Sequence, residues 1–190
     1  MLFVVIVFVL VAGSTAVTFQ PGPCPVINGV PIDFKKMAGN WYEYANTEDQ
    51  YNGTLGCTIS ETFTLKDNIT RMFTTSISKS TGNIVGVESE VTAILPGNGV
   101  NLVTYTPLAG ELTVQYWDLE VVPDSHEISW SCVIEGSKHH IQGIDIYTRS
   151  PNPSIDVLER SRQLALERGL AAPEFVLFDN SCYLKSCRCQ

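Results

Sequence analysis

Eight short runs of strand-like sequence, recurring every eight to twelve residues or so, constrain this chain more than any other feature. They cover residues 41–48, 57–65, 69–78, 84–95, 100–106, 112–121, 126–134 and 138–148. Successive side chains on a strand point to opposite faces, so alternation within a run marks a sheet with one dry and one wet side. In the second run Ile59, Phe63 and Leu65 share one face and Thr58, Ser60, Thr62 and Thr64 the other. In the fourth, Val85, Val87, Val91, Ala93 and Leu95 lie opposite Glu88, Glu90 and Thr92. Turn residues separate the runs: Lys66-Asp67-Asn68, Ser80-Thr81-Gly82-Asn83, Pro96-Gly97-Asn98-Gly99, Pro107-Leu108-Ala109-Gly110, Pro123-Asp124-Ser125 and Glu135-Gly136-Ser137. A sheet of this size has edges to manage. Closing it into a barrel abolishes them, and at eight strands the interior is just wide enough for side chains or one small ligand. A two-sheet sandwich satisfies the same pattern, so the pattern alone leaves both architectures open.

After residue 148 the period changes. Asn152-Pro153 gives an N-cap followed by proline in a first helical turn. Val157, Leu158, Ser161, Leu164 and Ala165 then fall on one helical face, Gly169 is a natural stop, and Pro173 forbids continuation. Residues 175–178 can add a short strand. Residues 21–31, rich in Pro and Gly, form an extended arm, and the stretch 181–190 is cysteine-rich and otherwise structureless. Neither a repeat nor a second domain is visible.

Residues 1–16 have the form of a secretory leader: an apolar run from 2 to 12, too short for a bilayer anchor, then Ser14 and Ala16 at the spacing a signal peptidase reads. No other segment approaches membrane-span length. Six cysteines, Cys24, Cys57, Cys132, Cys182, Cys187 and Cys189, argue for disulfides in an exported protein, with fifteen pairings open. Asn52-Gly53-Thr54 and Asn68-Ile69-Thr70 are glycosylation sequons, at Asn52 and Asn68, that fit the same compartment. The net charge of −8 supplies no basic stripe, so nucleic acid is not a partner.

Gly39-Asn40-Trp41, just before the first run, gives the pattern a family resemblance. The segment 34–44, then Tyr116-Trp117-Asp118-Leu119, Ile128-Ser129-Trp130-Ser131-Cys132 and Tyr147-Thr148-Arg149-Ser150-Pro151, resembles the lipocalins in order and spacing. The look is nearest to apolipoprotein D and the insect bilin-binding proteins. The resemblance covers residues 24–183 and implies an all-β, eight-stranded antiparallel up-and-down barrel with one C-terminal α-helix. It divides the chain into a leader at 1–16, a lipocalin domain at 17–180 and a tail at 181–190. It makes Gly39, Trp41 and Arg149 a fold signature, with Arg149 over the Trp41 ring at the barrel floor, and it implies the disulfides Cys24–Cys132 and Cys57–Cys182. Cys187 and Cys189 are left over, open to pairing with each other in a small ring, to staying free, or to bonding another chain as a route to a covalent homo-oligomer. One motif departs: Val121-Val122-Pro123 stands where the family carries Thr-Asp-Tyr, so no role of that motif transfers.

Alternation offers Tyr44, Ile59, Glu61, Phe63, Phe73, Val87, Val91, Tyr105, Tyr116 and Trp130 as pocket-lining residues, with Glu61 as a polar anchor. Such walls suit a fatty acid, a steroid, or a pigment such as biliverdin or a carotenoid, bound as cargo with no cofactor required. The chemistry-bearing residues point elsewhere than catalysis. His139 and His140 are adjacent on a strand, face opposite ways and cannot chelate one ion as a simple pair. His126 sits at a turn, within reach of a ligand at the rim. No Gly-x-Ser-x-Gly is present. A thiol isomerase needs a free Cys57, which the implied pairing consumes. Glu88 and Glu90 share a solvated face. The expectation is a secreted carrier that is not an enzyme and binds no metal. Its rival is a secreted interaction protein with a filled barrel, acting through its loops or its cysteine-rich tail.

Overall fold

The computed structural model describes residues 20–47, 54–65, 69–106, 110–135, 138–170 and 174–185. The leader, both sequon asparagines, Cys187 and Cys189 lie outside the described residues. Among the described residues ten strands and three helical segments follow one another: β1 (Gln20–Pro21), α1 (Phe34–Met37), β2 (Gly39–Asn46), β3 (Leu55–Thr64), β4 (Thr70–Ser78), β5 (Ile84–Ile94), β6 (Gly99–Thr106), β7 (Gly110–Val122), β8 (His126–Glu135), β9 (His139–Thr148), α2 (Asp156–Glu167), β10 (Val176–Leu177) and α3 (Ser181–Lys185). From β2 to β9 each strand pairs antiparallel with the next, and β9 returns to β2 through Tyr42↔Thr148 and Asn46↔Asp145. That last pairing closes the ring and decides for a barrel over a sandwich. The eight barrel strands are the eight runs of the sequence. β1 adds to β9 and β10 to β2, on the outside of the ring.

Helix α2 lies against the outer wall. Its buried residues are Val157, Leu158, Ser161, Leu164 and Ala165, the five that share one face in the sequence. They meet Ala45, Leu119, Ile128, Trp130, Cys132, Ile144 and Ile146 in the main apolar core. The helix begins four residues after Asn152: Ser154 Oγ accepts from the Asp156 N–H at 3.4 Å. It ends at Gly169, whose φ of +72° suits glycine. The largest dry surface of this barrel is thus on its outside, beneath α2. Alternation then hands the polar residues of β2, β7, β8 and β9 to the lumen.

Both disulfides implied by the resemblance are formed, Cys24–Cys132 and Cys57–Cys182. They span 108 and 125 residues, and loops of that length are worth at most about 5 kcal/mol each in the chain-entropy model. The arm at 21–31 carries no helix, as expected, and leads into the single turn α1, started by Asp33, whose Oδ1 accepts from the Lys35 N–H at 3.1 Å. One local expectation needs correction. The tail is not structureless through Lys185: α3 sets Tyr183 edge-on to Tyr42 at 4.9 Å, and its hydroxyl donates to the Cys57 carbonyl at 2.6 Å.

Candidate ligand site in the barrel lumen

One end of the barrel is plugged. Gly39 takes a φ of +96°, open to glycine without strain, and a Cβ there would lie 3.4 Å from Arg149 Nη1. The chain turns so that Trp41 enters the barrel, 2% exposed, with Nε1 donating to the Met37 carbonyl at 2.7 Å. Arg149 lies over its ring at 3.6 Å. The guanidinium donates to Pro123 O and Asn40 O, both at 2.8 Å, to Ala38 O at 3.0 Å and to Lys36 O at 3.3 Å. One planar cation thus fastens the β7–β8 turn, the start of β2 and α1 to the end of β9.

Above this floor is a cavity. Ile32, Phe34, Met37 and Trp41 form its base, and Met72, Val91, Val100 and Leu102 its apolar wall. The cavity has a volume of about 90 Å³ and is partly open to solvent. The opposite wall is polar: Tyr116, Asp118, Glu127, Ser129 and Tyr147, with Ser60 and Thr62 beside it. Strand register builds this wall in two rows. Glu43, Tyr147 and Glu127 lie directly across from one another on β2, β9 and β8, and Asp145, Ser129 and Asp118 do so on β9, β8 and β7. Directly opposed residues share a face, so four carboxyls stand on one side of the lumen.

These acids resist ionisation. Burial pushes the Asp118 carboxyl up to about 6, with a hydrogen bond to Glu127 opposing the shift. Glu127 is raised well above the carboxylate range, first by burial and then by the Asp118 charge and hydrogen bond, with Arg149 opposing. Glu43 is raised by burial and by Asp145, and an Asn46 amide bond at 3.2 Å pulls the other way. The Tyr147 phenol is also held up, by burial and then by Glu43, Asp145, Tyr116 and Glu127. Together these shifts describe negative charge crowded into a space poor in water.

The pocket residues expected from alternation fall on both sides of the wall. Val91 and Tyr116 line the cavity. Val87 sits across from Thr74, itself across from Ser60, and so shares the lumen face. The other seven face away. On β3 it is Ser60 and Thr62 that enter the lumen, which turns Ile59, Glu61 and Phe63 outward, with Ile59 opposite Tyr42 on the side covered by Tyr183. Phe73 is 42% exposed and Tyr105 61%. Tyr44 and Trp130 belong to the outer core under α2. His126 is on the outside at the plugged end, its Nε2 3.1 Å from Glu120, which also holds Arg160. Phe63→Ala and Phe73→Ala should therefore leave affinity for a lumen ligand unchanged in a calorimetric titration, and a several-fold loss in either would show that this register is wrong.

Sequence reasoning missed Asp118, Glu127, Glu43 and Asp145. The available signal was acids standing between apolar residues in strands that a helix must cover, as in Ile144-Asp145-Ile146. Among the described residues no three His, Cys, Asp or Glu side chains are grouped to hold a metal ion.

A plugged eight-stranded barrel with a helix on its flank is the lipocalin fold. The solved structures that it resembles include insecticyanin from the tobacco hornworm Manduca sexta, with a TM-score of 0.72 and 18% identity over 86% of this chain and 89% of that one. Lobster apocrustacyanin A1 gives 0.67 and 17% over 87% and 93%. A siderocalin, Ex-FABP, described as functioning through dual ligand specificities, gives 0.52 and 16% over 76% and 94%. No protein-family model matches the sequence, and no curated protein does.

Proposed function

We propose that this protein is a secreted carrier that holds one small, largely apolar ligand in the barrel lumen and performs no chemistry on it. The observation that carries the reading is the cavity above Trp41, walled by Met72, Val91, Val100 and Leu102. An interior filled by its own side chains would leave no such space, which counts against the interaction-protein alternative. The disulfides and the leader-like N-terminus support export. With Cys57 bonded to Cys182, no thiol is available on β3 for isomerase chemistry.

Size narrows the cargo. At about 90 Å³ the cavity falls below the roughly 300–1,000 Å³ of ordinary ligand pockets, so as it stands it suits a small ligand. A tetrapyrrole, a carotenoid or a long-chain lipid, the ligands that the resemblance implies, needs the lumen to widen, with flexible Met37 and Met72 as the side chains best able to give way.

The test is to purify the protein from its source, record its visible absorption and identify by mass spectrometry what an organic solvent extracts. A band between about 400 and 700 nm that follows the protein through gel filtration means a pigment, and a colourless extract with one stoichiometric small molecule means another cargo. An empty extract, together with no binding by a panel of small apolar compounds, overturns the reading. Leu102→Trp, which pushes a ring into the wall, should lower affinity for the extracted ligand about tenfold or more, equivalent to at least about 1.4 kcal/mol.

A further inference from the structure

We propose that the lumen selects an apolar molecule carrying one protonated nitrogen, seated on the carboxyl pair Asp118 and Glu127. The inference rests on the lumen being a ligand site and names the class of ligand. Three observations carry it.

The first is the polarity of the cavity itself. Its apolar wall and its polar wall are on opposite sides, so a ligand that fills it has an apolar body and one polar end. The second is the sign of the polar wall. Asp118 is 2% exposed and fixed in place, since its backbone carbonyl accepts from the arm at Val30 N, 2.8 Å away. Glu43, Asp145 and Glu127 share its face, with the phenols of Tyr116 and Tyr147 beside them. The third is what faces them. Among the described residues no Lys, Arg or His lines the cavity. Arg149, the cation nearest in effect to Glu127, lies over the Trp41 ring with its N–H groups spent on four backbone carbonyls and with the Asp124 charge also acting on it. Among the described residues, the Asp118–Glu127 pair therefore has no cationic side chain beside it in the cavity lining.

Buried charge of one sign is costly unless something pairs with it. With Glu127 kept protonated and Asp118 ionising near 6, the pair carries about one negative charge at neutral pH. One ammonium group matches that charge and supplies the donors that carboxylate oxygens take. A fatty-acid carboxylate placed at the same end meets repulsion, and a neutral hydroxyl gains only an uncharged hydrogen bond.

A matched set of small probes tests this: 2-phenylethylamine, 2-phenylethanol and phenylacetate, titrated calorimetrically into the intact, ligand-stripped protein at neutral pH. The amine should bind at least tenfold more tightly than the alcohol, and the acid more weakly than both. Lowering the pH below 6 should erase the amine's advantage as Asp118 takes up its proton. Asp118→Asn should bring the amine down to the alcohol's affinity while the alcohol still binds, and that alcohol binding reports that the variant is folded. Equal affinity for amine and alcohol, or a preference for the acid, overturns this inference and leaves the carrier reading standing. Binding of none of the three overturns both.

Discussion

Replacing Asp118 with Asn should stabilise the ligand-free protein at neutral pH, the reverse of what loss of a buried polar contact ordinarily does. The sign follows from the direction of the shift. Asp118 ionises near 6 in the folded barrel against 3.8 for the free side chain. Below about pH 3.8 both folded and unfolded chains hold the proton, and the group contributes nothing. As pH rises towards 6 the unfolded chain ionises first, which favours unfolding. Above 6 the penalty is complete, and a shift of about two units corresponds to about 3 kcal/mol. Glu127 and Glu43 are displaced in the same direction and add to the trend. Glu120 works against it: the Arg160 guanidinium, 2.5 Å away, holds its carboxyl below the usual value of 4.5, so its support is lost as the solution becomes more acid than that. Urea unfolding of the native protein should accordingly give greatest stability near about pH 4–4.5, a decline through pH 6 as the Asp118 penalty builds, and a further decline above 6 from Glu127 and Glu43. Asp118→Asn should gain on the order of 2–3 kcal/mol at pH 7.5 and flatten the decline. Lower stability of the variant at pH 7.5, or a native protein that grows more stable from pH 5 to 7, would contradict an uncompensated acid in the lumen. Taken with the ligand experiment, the same substitution should strengthen the empty barrel and abolish its preference for a cation, as when a binding site is kept at the expense of stability.

Strand positions and the outer helix were legible in the sequence, because period and turn chemistry are local signals; the floor pair Trp41 and Arg149 and both disulfides followed only from the lipocalin resemblance, the six cysteines alone leaving fifteen pairings open. Which face of each strand enters the lumen was not. The alternation on β3 is clear, but its dry residues Ile59 and Phe63 point outward and its Ser60 and Thr62 point in. The bulge between Gly56 and Ile59 places two residues, Cys57 and Thr58, outside the regular pairing, and slips of this kind exchange the faces of a strand. On β8 and β9 the reason is different. Ile128, Trp130, Ile144 and Ile146 are dry because α2 covers them from outside. A strand pattern states that one face is dry and does not state whether the cover is the lumen or a helix. Had the helix been assigned to the strands just before it in the chain, Asp145 and Glu127 would have been placed inside. Val91 and Tyr116 line the cavity on strands that α2 does not cover at those positions.

Trp41→Ala should be the most damaging single substitution in the barrel, with a loss of about 4–5 kcal/mol in urea unfolding. Truncating a fully buried tryptophan costs about 3–5 kcal/mol through lost burial and the hole that remains. Two further contacts vanish here. The Met37 carbonyl loses its indole donor, worth about 1 kcal/mol when the acceptor stays buried. The Arg149 guanidinium loses the ring beneath it, a contact of about 0.5–2 kcal/mol. The sum exceeds the expected loss because these contributions overlap and because Arg149 keeps its four backbone carbonyls. Trp41→Phe keeps an aromatic face for Arg149 and gives up only the indole donor and some volume, so it should lose about 1–2 kcal/mol. The two variants should separate further in binding. Trp41 is at once a floor residue of the fold and a lining residue of the cavity. Its removal joins the cavity to the solvent around Arg149, lets water reach Asp118 and Glu127, and lowers their ionisation towards ordinary values. Affinity for a lumen ligand should then fall at least tenfold in Trp41→Ala and stay within about threefold in Trp41→Phe. A Trp41→Ala protein as stable as the native one, or one that binds its ligand equally well, would mean that the plugged floor neither holds this barrel closed nor keeps its lumen dry.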